Sequence, residues 1–281
     1  MHFPAAPRDR IAIASYPFRE FIIGRSDSAP SSQTKMALKN FPAHVAAKFD
    51  IHHIESWSEH FPSLEPSYLE DLRSAAGKVG VTFANIAADG ESSLYSPEAE
   101  ERDRASHFCR QWIDAAAALG SPSVRTNISV AQGARPDARR LTEHFKPIAE
   151  YAASRNIVVH LENDNPVSED PFLLVELLDR VNSPWLRALP DFGNSLVALP
   201  AEEAYRGLDQ MFVRSYGISH VKDTITQAGQ TVRVDMARVF ALALKYEYKG
   251  YFSMEWDTEG DPYEGTARLI ATTMKYISQR D

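Results

Sequence analysis

The chain has one cysteine, Cys109, so no internal disulfide can form. Cys109 stands at helical spacing from Trp112, which marks a core position rather than a nucleophile. No apolar run reaches the roughly 18 residues that a membrane-spanning helix needs. Residues 1–10 lack the apolar stretch of a secretory signal. A cytoplasmic protein is the simple expectation, and a mature chain that had lost a leader would look the same. Positive charge is in deficit: 30 lysines and arginines face 38 aspartates and glutamates, a formal net charge of −8. Phosphate neutralisation dominates affinity for nucleic acid. The longest basic cluster, Arg135 to Arg140, is broken by Pro136 and Asp137 and reads as the solvated start of a helix. Neither nucleic acid nor a membrane is therefore an expected partner. A glycine-rich phosphate turn is missing too, because the first apolar run leads into Ser15-Tyr16-Pro17-Phe18-Arg19. That argues against a doubly wound nucleotide-binding sheet.

What is present is a long alternation. With 281 residues and 44% hydrophobic content, the chain can bury a large core. A serine-rich stretch, 24–35, reads as an insertion or flexible loop, since a strand pattern precedes it and a helix pattern follows. Short apolar runs at 10–16, 50–56, 81–87, 123–128, 157–162, 186–191, 216–222 and 251–256 read as buried parallel strands. Amphipathic segments separate them. Ser96-Pro97-Glu98 opens one helix, with serine as N-cap and proline at the first helical position. Asp170-Pro171 and Asp261-Pro262 open two others in the same way, and Phe108, Trp112, Ala115, Ala116 and Leu119 recur at helix spacing. Eight strands in strict alternation with eight helices imply a mostly parallel sheet of β/α-barrel size. The expected fold is a single α/β domain over 1–281, a (β/α)8 TIM barrel.

In such a barrel, side chains at the C-terminal ends of the strands face the active site. The last four runs each end in a metal-capable group: Glu162 after Val158-Val159-His160-Leu161, Asp191 after Leu189-Pro190, His220 after Ile218-Ser219, and Glu255 after Ser253-Met254. Successive spacings are 29, 29 and 35 residues, about one βα unit each. Any one of these carboxylates could be only a helix N-cap or a loop solvator. Four in series can converge from four neighbouring strands. Three carboxylates at close range repel strongly where the dielectric is low, and a divalent cation removes that repulsion. One such ion is expected, Mn²⁺ or Mg²⁺ best suited to the hard donor set, with Co²⁺ or Zn²⁺ as competitors.

The tokens His160-Leu161-Glu162-Asn163, Pro190-Asp191-Phe192-Gly193-Asn194, His220-Val221-Lys222-Asp223, and Met254-Glu255 with Gly260-Asp261-Pro262-Tyr263 resemble a known family in their order and spacing. It is the sugar phosphate isomerase/epimerase superfamily with the xylose isomerase-like barrel, and the resemblance covers essentially the whole chain. Ketose 3-epimerases, hydroxypyruvate isomerase and inosose dehydratase belong to it, as does endonuclease IV. The resemblance implies a metal bound by Glu162, Asp191, His220 and Glu255, with Glu162 and Glu255 also acting as acid and base on opposite faces of a sugar. Many relatives carry histidine where Asn194 stands; asparagine binds a hydroxyl but exchanges no proton near neutral pH. Many also carry histidine or glutamate where Asp164 stands. Endonuclease IV relatives use a histidine-rich cluster of several zinc ions. Here His2, His44, His60, His107 and His144 fall in loops or on helices, which with the negative charge argues against DNA repair.

Other pocket candidates follow from strand parity. Lys222 should face the same way as His220 and either hold a substrate oxygen or pair with a carboxylate. Arg125 and Asn127 end the fourth strand, Glu55 and Trp57 the second, and each is a candidate substrate contact, as are Asn194 and Asp164. Tyr16, Phe18 and Arg19 form a candidate wall, and His160 reads as a satisfied core histidine. The expected activity is a metal-dependent sugar isomerase or epimerase working through an enediolate. Two alternatives stand beside it. One is a lyase of the inosose dehydratase or oxidised-glycoside-cleaving kind. The other is a non-catalytic sugar-binding barrel, against which the intact Glu162 and Glu255 speak. The partner is a small sugar or sugar derivative, with a homo-oligomer or a place in a hetero-oligomer left open.

Overall fold

A computed structural model describes residues 3–25, 35–227 and 229–278. Eight parallel strands form the barrel: β1 (Ile11–Ala14), β2 (His53–Trp57), β3 (Thr82–Ala88), β4 (Ser123–Thr126), β5 (Val158–Glu162), β6 (Leu186–Leu189), β7 (Ile218–Val221) and β10 (Tyr251–Met254). They pair in the order β6-β5-β4-β3-β2-β1-β10-β7. The seam between β6 and β7 is joined by the bridges Ala188–Ser215 and Asp191–His220. Strands β1, β5 and β7 are buried at every position, as parallel strands covered on both faces must be. Around them lie α1 (Phe41–Phe49), α2 (Pro66–Lys78), α3 (Ala99–Leu119), α4 (Ala138–Arg155), α5 (Pro171–Val181), α6 (Ala201–Val213), α7 (Met236–Lys245) and α8 (Pro262–Ile277).

Local chemistry accounts for most helix ends. Asp170 and Asp261 cap α5 and α8 as expected, accepting from Phe172 N and Leu173 N, and from Tyr263 N. The start of α3 differs from expectation. Glu98 is its N-cap, and Ser96 sits outside the helix, accepting from Glu98 N and donating to Glu101 Oε2 at 2.7 Å. Cys109 is 3% exposed within the α3 core face beside Trp112, and burial pushes its thiol up to about 12. The Arg135 to Arg140 cluster does open a helix: Asp137 caps α4 by accepting from Arg139 N. Residues 26–34 of the serine-rich stretch, and His2, lie outside the described residues; beside that stretch, Ile22 bridges Met36.

Two features were not expected. A short hairpin, β8 (Thr224–Gln227) with β9 (Gln230–Arg233), interrupts the connection from β7 to α7. It is tied to the barrel mouth by an Ile225–Asp257 bridge. The second feature is a bulge in β3. Ile54 pairs with Phe83, but Glu55 pairs with Asn85, so Ala84 is skipped. The extra residue lets both Ala84 and Asn85 serve the interior. Ala84 packs with Ala12, Leu189 and Ile218 low in the barrel, while Asn85 hydrogen-bonds Glu55.

Candidate metal centre

Alternation along the strands builds the barrel interior in layers. Above the apolar layer of Ala12, Ala84, Leu189 and Ile218 comes a polar one. Here Glu55 is 1% exposed, and both of its oxygens are taken: Oε1 accepts from Asn85 at 2.7 Å, Oε2 from Ser253 Oγ at 2.7 Å. Glu55 Oε2 also lies 2.9 Å from Nε2 of His220. Glu55 does not line the mouth cavity, so its expected place as a substrate contact is corrected: it holds the histidine from below. The carboxylate orients the imidazole so that Nδ1 points up, the arrangement that fixes a ligating histidine in metal sites. Glu55→Gln is expected to weaken divalent-ion affinity about 10- to 100-fold. Isothermal titration with Mn²⁺ checks it, and unchanged affinity would strip Glu55 of this role.

The next layer is the expected quartet. One donor atom each from Glu162, Asp191, His220 and Glu255 lie within 4.8 Å of one another, all four residues buried. His220 Nδ1 sits 2.8 Å from Glu162 Oε1 and 3.1 Å from Glu255 Oε2. Glu162 ends β5, but Asp191 and Glu255 stand just past β6 and β10, where the chain is still held in register. His220 N donates to Pro190 O, and Glu255 N to Val221 O. Asp191 is fixed by its own turn: Oδ1 accepts from Gly193 N and Asn194 N, and Asn163 pairs with its backbone. Its other oxygen, Oδ2, makes no hydrogen bond and faces Lys222 Nζ at 3.4 Å, and Glu162 Oε2 likewise faces Arg125 Nε at 3.0 Å. Such acceptors are costly unless something positive meets them.

The charges in the layer respond to that crowding. Burial disfavours a charged imidazole, yet Glu162, Glu255 and Glu55 hold His220 well above its ordinary value. Burial likewise opposes the Lys222 ammonium, but Asp191 at 3.4 Å and Glu255 at 3.1 Å keep it firmly protonated. Burial pushes the Asp191 carboxyl up to about 6 against the pull of Lys222. For Glu255 the balance reverses: burial raises it, but His220 and Lys222 together hold it well below the carboxylate range. The cluster thus gathers cations and protons around its oxygens. Three carboxylate oxygens and one imidazole nitrogen, all within 4.8 Å of one another, are a donor set that fits a divalent ion.

Above the quartet opens a cavity of about 540 Å³. Arg125, Trp57, Asp164, Asn194 and Lys222 all line it, as anticipated. Lys222 donates to Asn194 Oδ1 at 2.8 Å, and Asn194 reaches toward Glu162 and Asp164. Arg125 Nε lies 3.0 Å from Glu162 Oε2, and its Nη1 meets Asp89. Asp89, which also accepts the Trp57 indole N–H at 2.6 Å, was not foreseen. It follows β3 at the inward parity of Ala87, a signal the sequence does carry. Tyr16 and Arg19 face the cavity as expected, and burial with the nearby Asp257 carboxylate pushes the Tyr16 phenol up to about 12, so it stays a donor. Two anticipated contacts are corrected. Phe18 is fully buried against Phe41 and Tyr263 outside the barrel. Asn127 pairs with the Gly90 backbone through both ends of its amide. His160 is fully buried in the barrel, and burial lowers it to about 4.

The chain belongs to the family of the xylose isomerase-like TIM barrel, whose model matches residues 43–278. A 3'-dehydrocarminate deglycosidase alpha subunit of a Microbacterium species is 27% identical over 177 residues, 59% of this chain. A C-glycoside deglycosidase alpha subunit of Microbacterium trichothecenolyticum is 27% identical over 149 residues, 52% of this chain. The matched stretches span only 48% and 38% of those two relatives. Among solved structures, an L-ribulose 3-epimerase superposes with a TM-score of 0.74 at 14% identity, covering 96% of each chain. A xylose isomerase-like TIM barrel protein of Mycobacterium smegmatis, in complex with magnesium, gives 0.72 at 18%, covering 95% of this chain and 96% of that one. A 3-keto-D-glucoside 4-epimerase from E. coli gives 0.67 at 12%, covering 88% and 97%.

Proposed function

We propose that this chain is a metal-dependent sugar isomerase or epimerase that moves a proton on a carbon beside a carbonyl, with Glu162 and Glu255 as the acid–base pair. The observation that carries this reading is the approach of two buried glutamates to one imidazole nitrogen at the floor of a polar cavity. When held by Glu162, Asp191, His220 and Glu255, a divalent ion supplies the Lewis acidity that stabilises charge developing on the carbonyl oxygen. Mg²⁺ or Mn²⁺ is the proposed ion, and the magnesium complex of the Mycobacterium smegmatis protein supports the first. One glutamate takes the proton and the other returns it. Return to the same carbon from the opposite face gives an epimer, and return to the neighbouring carbon gives an isomer. Lys222, charged and buried, donates to a substrate oxygen, and Asn194, Arg125 and Asp164 orient hydroxyl groups around it. Trp57 offers a ring face or edge to the sugar.

A second reading rests on a separate observation, the similarity to two deglycosidase alpha subunits. The same enolate expels a substituent from the next carbon, which cleaves an oxidised glycoside. Both relatives are named as alpha subunits, so a partner subunit belongs to this reading. Incubating the Mg²⁺-loaded protein in D₂O with D-fructose, D-allulose and a 3-keto-glucoside, followed by NMR, separates the two. An epimer or isomer bearing deuterium is expected under the first reading, and free aglycone under the second. If no carbon-bound hydrogen of any of these compounds exchanges and no aglycone is released, both readings fall.

A further inference from the structure

A second cavity opens at the opposite end of the barrel. It measures about 630 Å³, more than the cavity above the metal centre. Its lining comes largely from residues that precede or begin β4, β5, β6 and β7, whereas Glu162, Asp191, His220 and Glu255 stand toward the other ends of their strands. Reactions in such barrels take place at the C-terminal face, so a cavity at the N-terminal face is a place for binding rather than chemistry. Phe3 packs edge-on against Tyr216 at 5.2 Å and Tyr251 at 6.1 Å, which covers the β7 and β10 side of this face. The cavity lies on the β4 to β6 side.

Its wall is mainly apolar and aromatic, with Pro122, Ile157, Val158, Trp185 and Tyr216 among the lining residues. Arg187 stands in this wall. It pairs in register with His160 and comes two residues before Leu189, so strand parity puts it on the interior face of β6. Arg187 is half-buried and has no hydrogen bond or ion pair among the described residues. Burial and the neighbouring Arg214 charge hold its guanidinium below the ordinary value, while the Tyr216 phenol acts in the other direction. Arg214 is itself clamped by Asp179, with two contacts of 2.6 Å, and Arg155, the other cation of the lining, has Asp114 at 2.8 Å. No acidic residue lines the cavity. One positive charge is therefore left without a counter-charge in a mainly apolar concavity. A carboxylate matches the fork of a guanidinium with two parallel hydrogen bonds. Trp185 and Tyr216 offer ring surface beside it, and the volume falls within the roughly 300–1,000 Å³ of small-molecule sites.

We infer that this cavity is a binding site for a small aromatic carboxylate, whose carboxyl group pairs with Arg187 and whose ring packs against Trp185 and Tyr216. The inference does not depend on what the metal centre does. Calorimetry tests it with 3-phenylpropionate and its uncharged amide, 3-phenylpropanamide, on both the Mg²⁺-loaded and the chelator-stripped protein. The acid is expected to bind about 10- to 100-fold more tightly than the amide, the worth of a hydrogen bond to a charged group. Its affinity should be the same with and without Mg²⁺, because the metal centre lies at the other end of the barrel. Arg187→Gln should erase the preference for the acid. Arg187→Lys should keep part of it, since the charge remains and the fork is lost. Deleting a cation that has no counter-charge should not lower the melting temperature, so the glutamine variant can be compared as a folded protein. Absence of binding by the acid overturns the inference, as does equal affinity for acid and amide, or a preference that survives in Arg187→Gln. Binding that vanishes when Mg²⁺ is stripped would put the acid on the metal and overturn it too. A parent dimer in analytical ultracentrifugation that dissociates in Arg187→Gln would give the cavity to a second copy of the chain, with the same consequence.

Discussion

Glu255→Gln is expected to lower turnover by about 10²- to 10⁴-fold, the range that a positioned acid or base supplies. The substitution keeps the shape of the side chain and removes its charge and its ability to take up a proton. Glu255 is 5% exposed and lies 3.1 Å from both Lys222 Nζ and His220 Nδ1. An amide at this place can still accept from Lys222, so the neighbourhood should hold. The far-ultraviolet circular dichroism spectrum is expected to match that of the parent chain. The decisive readout is the rate of deuterium incorporation into substrate, measured at saturating metal so that weaker ion binding does not masquerade as lost chemistry. Glu162→Gln should behave alike in rate but differ in its partners, because Arg125 sits 3.0 Å from Glu162 and loses one of its two counter-charges, keeping Asp89. A Glu255→Gln protein with parental turnover would remove Glu255 as the acid or base and leave it a ligand alone.

Those two glutamates could be found without a structure because a parallel barrel strand is an apolar run with a defined end. Glu162, Asp191, His220 and Glu255 each interrupt such a run, one βα unit apart, and the geometry that gathers them is a property of the fold. Parity then tells which face of a strand a residue occupies. It does not tell the layer. Glu55 has the inward parity of Trp57, yet it lies one layer deeper, under His220 and outside the cavity lining. Parity also fails once the ladder stops. Asn127 is two residues past Arg125, but β4 has ended at Thr126, and the side chain turns to the Gly90 backbone instead. Asn85 was hidden by the bulge at Ala84, which shifts the register by one residue and leaves no mark in composition. The hairpin was hidden for another reason. Thr224-Ile225-Thr226 and Thr231-Val232-Arg233 alternate as strands do, around Gly229 with φ 77°, but each arm has only four residues. Read within a chain of alternating strands and helices, they pass as the loop before α7.

His220→Ala is expected to have the second large effect, and on two measurements at once. The imidazole is fully buried and stands between Glu55 below and Glu162 and Glu255 above. Removing it takes away one of the four donors of the candidate centre and leaves three buried carboxylates without their common partner. Breaking a buried ionic network by deleting one member costs about 3–5 kcal/mol. For a chain of this size that corresponds to a fall in melting temperature on the order of 10 °C. Elemental analysis of the purified variant should find divalent metal far below the parent level. The two readouts answer different questions. Parent protein stripped by chelator should also melt lower, because an ion that binds only the folded chain stabilises it by about 2.7 kcal/mol at a concentration 100 times its dissociation constant. Restoring Mn²⁺ should recover the stripped parent and not the variant. Recovery of both would mean that the ion sits elsewhere, and full metal retention by His220→Ala would end the assignment of His220 as a ligand. A variant that loses metal yet melts like the stripped parent would show that Lys222, 3.1 Å from Glu255 and 3.4 Å from Asp191, suffices to balance the carboxylates once the ion is gone. In that case the histidine serves the ion rather than the fold.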